Sequence, residues 1–207
     1  MRVAVLGGTG SFGRALAARL AALGEDEVVI GSRAAGRAAE AAAELGVAGA
    51  TNEEAVAGVD LAILAVKADG ALETASFVAS ALGRTPLLSV ASAIEFRKGV
   101  GMLPDPAALS LAERIQQVVD GPVVAGLHSI AAANFDEGAP DEDALVCGDD
   151  AEAKELVLAL AARVVSGRAL DAGPLASARA LEGLTAVIVN LNRRYRAHAG
   201  IRVTGVT

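Results

Sequence analysis

Tryptophan is absent from this chain of 207 residues, which carries one tyrosine and four phenylalanines. Stacking on Trp or Tyr is therefore excluded as a main recognition device. The single cysteine, Cys147, precludes an intrachain disulfide. With no histidine near it in sequence, it reads as a small buried apolar residue rather than a nucleophile. The only histidines are His128 and His198, and no set of Cys, His and acidic residues stands at metal-ligand spacing. No metal is expected. No apolar run reaches the roughly 18 to 20 residues that a membrane helix needs. Met1 to Leu6 runs straight into glycines without the apolar stretch and cleavage site of a secretory signal. These absences predict a soluble cytoplasmic protein with no membrane partner. Positive charge is also short, and the net charge of −7 argues against nucleic acid as a partner.

What is present is alanine, aliphatic residues and a rhythm. The length suits one domain, or one domain with a smaller appendage. Short β-branched runs at 2–6, 28–30, 47–50, 61–66 and 86–90 alternate with alanine-rich stretches at 12–23, 34–45 and 69–82. Gly24 and Gly46 close the first two helices. Thr51 to Glu54 supplies the cap and acidic first turn of a short helix. This alternation predicts an α/β fold of Rossmann type, a doubly wound and mainly parallel sheet. Beyond Gly99 the rhythm loosens. A helix is expected over 109–119, a strand over 123–127 and an edge strand at 144–146. A helix capped by Asp149 or Asp150 should run to about Val164, and a long one from Ser177 to Arg196. The acidic stretch Asp136 to Asp143 is the best boundary. It divides a nucleotide-binding domain, 1–140, from a smaller, mostly helical C-terminal part, 141–207.

The first candidate site lies at Gly8-Thr9-Gly10-Ser11-Phe12-Gly13. G-x-G-x-x-G is a weak signal alone, but here it directly follows the first strand and opens the first helix. Gly8 and Gly10 are expected to permit the tight turn and the approach of a diphosphate, and Gly13 the close packing of helix on strand. The helix N-terminus with the amides of Thr9, Ser11 and Phe12 would hold the diphosphate. Cofactor identity is read at the end of the second strand. An NAD site places an acid there, whereas this strand ends Gly31-Ser32-Arg33. The acids Glu25, Asp26 and Glu27 precede the strand, at the wrong end of the sheet. A hydroxyl and a guanidinium suit a 2′-phosphate. Arg37 follows one helical turn later, where a cation near the helix N-terminus opposes the dipole unless an anion binds. NADP(H) is the expected cofactor.

With those residues in view, the chain resembles the NADPH-dependent reductases of coenzyme F420 from end to end. The resemblance rests on Gly7-Gly8-Thr9-Gly10 with Gly13, Gly31-Ser32-Arg33, and Leu127-His128-Ser129-Ile130 followed by Ala132 and Phe135. Val146-Cys147-Gly148-Asp149-Asp150, Leu170-Asp171-Ala172-Gly173-Pro174-Leu175 and Gly200-Ile201-Arg202 complete it. The resemblance implies direct hydride exchange between a nicotinamide and a deazaflavin ring stacked face to face. It implies Thr9 to Phe12, Ser32, Arg33 and Arg37 on NADP. Ala68, Leu72, Ile94 and Ala132 would follow along the cofactor groove, and His128 and Ile130 would face the deazaflavin, coenzyme F420. Residues 65–69 and 90–94 lack the prolines and bulky aromatic usual in the family, and Ala131 replaces a proline. The loops at the nicotinamide mouth are therefore expected to differ.

The absent chemistry bears on the choice of substrate. A carbonyl reductase needs a proton donor beside the hydride. Hydride exchange between two rings needs proximity, alignment and exclusion of water. The scarcity of acid–base residues favours the second, with no catalytic side chain required, although Lys67 or Tyr195 remains as a donor. Two alternatives stay open: an NADPH-dependent reductase of an imine, quinone or ketone, and a non-catalytic NADP sensor. Arg193, Arg194, Arg196 and Arg202 are candidate partners for the anionic tail of F420. The apolar residues Leu181, Leu184, Val187, Ile188 and Leu191 exceed what one packing face requires, so a homodimer is expected.

Overall fold

The computed structural model describes residues 1–104, 108–136 and 138–206. The first half alternates as expected. β1 (Arg2–Leu6) leads into α1 (Ser11–Leu23), β2 (Glu27–Ser32), α2 (Ala35–Leu45), β3 (Ala48–Thr51) and the one-turn α3 (Asn52–Ala55). β4 (Leu61–Leu64), α4 (Ala68–Leu82) and β5 (Leu87–Ser89) follow. Gly24 and Gly46 end α1 and α2 in the left-handed conformation. Thr51 caps α3 through a reciprocal pair of bonds with Glu54.

The second half holds β6 (Glu95–Arg97), β7 (Val100–Met102), α5 (Leu111–Gln116) and β8 (Val123–Gly126). It continues with β9 (Ala144–Gly148), α6 (Ala151–Val164), β10 (Ala169–Asp171) and α7 (Ala178–Tyr195). Eight strands form one sheet in the order β10-β9-β8-β5-β4-β1-β2-β3. All neighbouring pairs are parallel except β8 with β9. Side chains alternate between two covered faces. Val3, Val5, Leu61 and Ile63 meet α1, α2 and α6 through Leu16, Leu20, Ala38 and Leu160. Ala4, Leu6, Ala62 and Leu64 meet α4, α5 and α7 through Ala71, Ala75, Ile115 and Leu181. Burial on both faces explains the uninterrupted apolar runs of the strands.

Three expectations change. The stretch 144–146 is not an edge strand: β9 lies between β8 and β10, with Val146 and Cys147 fully buried. The true edge, β10, has three residues and no alternating pattern, so it leaves almost no sequence signal. The helix expected over 109–119 is shorter. It starts after Ser110, whose side chain caps the Glu113 amide, and its last helical residue is Gln116. The β6–β7 hairpin was not anticipated. Its turn residues Lys98 and Gly99 both take positive φ, 50° and 83°, as a two-residue hairpin turn requires.

The C-terminal part is tied to the start of α5 by a buried carboxyl group. Glu182 of α7, with no exposed surface, accepts the amides of Leu111 at 2.7 Å and Ala112 at 3.3 Å. Burial pushes this carboxyl up to about 7. The chain thus closes back over the carboxyl ends of the central strands. Strand order reverses between β1 and β4, where ligands bind in doubly wound sheets.

Candidate functional site

The first turn sits at that reversal. Gly7, at φ +80°, lies so close to β4 that an added Cβ would stand 2.7 Å from the Ala65 carbonyl oxygen. The left-handed residue of the turn is Gly7, which precedes the two glycines expected to permit the tight turn. Gly8 is needed because Ile30 fills the space beside it, and Gly10 is the residue before the helix. Gly13 fulfils its expected role: its Cβ would lie 2.5 Å from the Gly7 carbonyl oxygen.

Hydrogen bonding shows what this turn leaves free. The amides of Gly7, Gly8 and Gly10 are bonded to Gly31, Val5 and Gly7 carbonyls. Those of Thr9, Ser11, Phe12 and Gly13 meet no acceptor among the described residues. Gly10 offers no capping side chain, and no acid stands in the first turn of α1. Four unsatisfied donors at the positive end of a thirteen-residue helix form a site for an anion.

The second strand ends beside it, since Leu6 pairs with Gly31 in register. Ser32 is buried, and its Oγ accepts a long bond of 3.4 Å from Ala34. Arg33 and Arg37 are exposed and make no ion pair among the described residues. α2 likewise begins without a side-chain cap or an acid. Glu25, Asp26 and Glu27 lie at the other end of the sheet. There Asp26 holds the N-terminal ammonium at 3.1 Å and Arg163 at 2.8 Å.

A cavity of about 540 Å³ opens next to the turn, over the ends of β4, β5 and β8. Of the residues singled out in the sequence, Phe12, Ala68, Ile94, His128 and Ile130 line it. Leu72 packs half-buried against the core beneath α4. Ala132 lies half-buried in a single 3-10 turn. Neither borders the cavity. The sequence reading missed Ser92, Phe96 and Thr185, which do. Thr185 donates to the His128 carbonyl at 2.8 Å and pairs with Ser92 Oγ at 2.8 Å. A lone hydroxyl inside the apolar stretch 184–188 was the available signal, and it was read only as part of a helix.

His128 is 6% exposed, and burial pushes its imidazole down to about 4, so it is neutral at pH 7. Neither ring nitrogen has a hydrogen-bond partner of good geometry. The preceding Leu127 holds φ at 62°, a conformation unusual for a branched residue. This places His128 at the strand's end while Leu127 stays buried. Cys147 lies inside β9, where burial raises its thiol to about 12. With no exposed surface, it packs as the small apolar residue that its isolation in the sequence suggested. Tyr195 is 71% exposed and does not border the cavity, whereas Lys67 does. Among the described residues, no three His, Cys, Asp or Glu side chains are placed to hold a metal.

The chain resembles known proteins in sequence and in fold. Residues 2–93 match the family model for coenzyme F420-dependent NADP oxidoreductase. The chain is 36% identical to an F420-dependent NADP reductase of Methanothermobacter marburgensis, covering 100% of this chain and 99% of that protein. The chain belongs to the F420-dependent NADP reductase family. A reductase of the same description from Methanocaldococcus jannaschii is 32% identical, over 100% and 99% of the two chains. The crystal structure of a candidate F420-dependent NADP reductase from Arthrobacter superposes with a TM-score of 0.87 at 28% identity, covering 99% of both chains. A Coxiella burnetii pyrroline-5-carboxylate reductase shares the fold at a TM-score of 0.61 and 13% identity, over 94% of this chain and 70% of its own. Family membership thus extends across the whole chain, including the C-terminal segments that close over the cavity.

Proposed function

We propose that this chain catalyses reversible, direct hydride transfer between NADP(H) and the deazaflavin coenzyme F420. The observation that carries this is the cavity. It is walled by Val66, Val90, Ile94 and Ile130, holds one neutral histidine, and is bordered by Phe12 of the turn with four free amides, while Arg33 and Arg37 follow the neighbouring strand. The amides of Thr9, Ser11, Phe12 and Gly13 suit a diphosphate. Gly8 and Gly10 let it approach. Ser32, Arg33 and Arg37 suit a 2′-phosphate through a hydroxyl donor and planar guanidinium groups. Ala68, Leu72, Ile94 and Ala132 mark the course of the dinucleotide, the first and third at the cavity wall and the other two outside its lining. His128 and Ile130 face the deazaflavin.

The ligands supply the redox chemistry: a hydride leaves the nicotinamide and reaches the deazaflavin, whose ring takes a proton from solvent. The protein's part is to align and to exclude water. Thr185 bonds to both the His128 loop and the Ser92 loop, so one helix residue holds two sides of the cavity. Aliphatic walls keep the site dry, which favours transfer over side reactions. A neutral His128 adds no charge that would attract the hydride donor or repel the product. Lys67 at the cavity wall is the one observation favouring an imine or ketone reductase, since an ammonium can protonate such a product.

Residues 1–140 form the NADP-binding domain in this reading, and 141–207 complete the deazaflavin site through Thr185. The enzyme works in the cytoplasm on diffusible cofactors; no described helix is long and apolar enough to cross a membrane. The outer face of α7 pairs with a second copy. Leu181 and Ile188 point inward, but Val187 is 52% and Leu191 39% exposed, with Leu184 half-buried beside them.

Mixing protein, NADPH and oxidised F420 should bleach the deazaflavin's visible absorbance, and tight NADPH binding without bleaching would leave a sensor instead. Replacing Arg33→Ala should weaken NADPH binding by at least tenfold while changing NADH little, because a charge-assisted bond contributes roughly 1.5–3 kcal/mol. An equal loss for both would refute the 2′-phosphate clamp. Val187→Glu should convert a dimer to a monomer by light scattering; a wild-type monomer would remove the second copy.

A further inference from the structure

We propose that the β6–β7 hairpin is the recognition element for the second substrate, with Phe96 as an aromatic wall against its flat ring. This rests on the reaction proposed above and names a contact the family motifs do not carry. In a chain with four phenylalanines, Phe96 is one of two aromatic residues at the cavity, and it is 55% exposed. Phe12, the other, is turned edge-on to Phe135 at 5.9 Å and belongs to the helix start. Phe96 has no such packing partner within the core. It borders the cavity from a ribbon that makes no bond to the main sheet.

A two-stranded ribbon of three-residue strands does not hold its shape in water alone. Here α7 holds it. The side-chain amide of Asn190 accepts from the Gly101 amide at 2.8 Å and donates to the Gly101 carbonyl at 2.9 Å, in the manner of a third strand. Gly101 is the register partner of Phe96. Arg193 donates to the Gly99 carbonyl, and its guanidinium lies over the Phe96 ring, 5.0 Å from the centroid. One turn and a half before Asn190, on the same helix, Thr185 holds the His128 and Ser92 loops. One helix therefore positions both the inner wall and the outer aromatic wall.

An exposed aromatic ring fixed at an apolar opening is built to cover another ring, because stacking adds to the area removed from water. The guanidinium over Phe96 fixes its plane, so little side-chain freedom is lost when substrate arrives. This assigns Arg193 to the hairpin. It acts as a positioning residue rather than as a partner for the anionic tail of F420.

The full-length protein is tested with Phe96→Leu and Arg193→Gln against two deazaflavins: F420 itself, and a truncated form ending at the ribityl chain, without phosphate or glutamate. Phe96→Leu should raise the Michaelis constant for both by about fivefold, the effect of one aromatic contact, with NADPH and the melting temperature unchanged. Arg193→Gln should raise both by a similar factor. Binding of oxidised F420, followed by its own fluorescence, is measured on the same proteins. The contact is thereby judged apart from turnover: wild type that binds but does not react would sink the reaction alone. Unaltered affinity in Phe96→Leu would overturn the inference. An effect of Arg193→Gln confined to the full-length coenzyme would return that residue to the tail. Loss of the dimer in Phe96→Leu at constant affinity would assign the ring to a subunit contact.

Discussion

The close approach of backbone to backbone at the first turn is the constraint on which the rest depends. Gly13 lets α1 settle on Gly7, and Gly7 lets the turn settle on β4. A single methyl group at either place would meet a carbonyl oxygen in a packed interior, and such overpacking costs roughly 1–3 kcal/mol. Because the helix sits so low, its first amides are aimed along the surface of the sheet at the crevice where strand order reverses. The same contact that packs the fold leaves four donors without partners. Stability and binding are one arrangement here, with the unsatisfied amides kept for an anion.

Around that anion site the two ends of the sheet differ in their charges. Acids gather at the amino ends of the strands, where Asp26 is shared by the N-terminal ammonium and Arg163. The carboxyl ends carry Arg33, Arg37 and Lys67, together with Asp69 at the start of α4 and Glu53 and Glu54 in the first turn of α3. In a chain of net charge −7, Arg33 and Arg37 after β2 are cations without an ion pair among the described residues, and a small anionic ligand requires only such a local pair. Beyond them the cavity becomes apolar and its histidine uncharged. The gradient from charged to dry suits a ligand with phosphates at one end and a reactive ring at the other.

Much of this was legible in the sequence, and the reasons differ by element. β1, β2, β4 and β5 and the helices around them follow from apolar runs and closing glycines, because burial on both faces leaves a strong pattern. β3, exposed at the sheet's edge, was marked only by its place between Gly46 and the capping Thr51. The glycine turn stood out because its residues are contiguous, and its left-handed residue is Gly7. Ser32, Arg33 and Arg37 were singled out by the acid missing from their place, and they stand at the end of the strand beside that turn. The hairpin was not, since Lys98-Gly99 lacks the usual turn pair and its strands have three residues each. Nor was the placing of Thr185, Asn190 and Arg193 opposite loops some 90 residues away, which only the sheet's closure brings about. The residues that shape the outer site are contributed from positions far apart in sequence.

The central claim is that hydride passes directly from one ring to the other in a cavity without a proton relay. NADPH carrying deuterium at the transferable position of its nicotinamide tests this most directly, in ordinary water with oxidised F420. The account predicts that the deuterium appears in full at the reduced carbon of the deazaflavin. Hydrogen from solvent at that carbon, with the label lost to water, would contradict it.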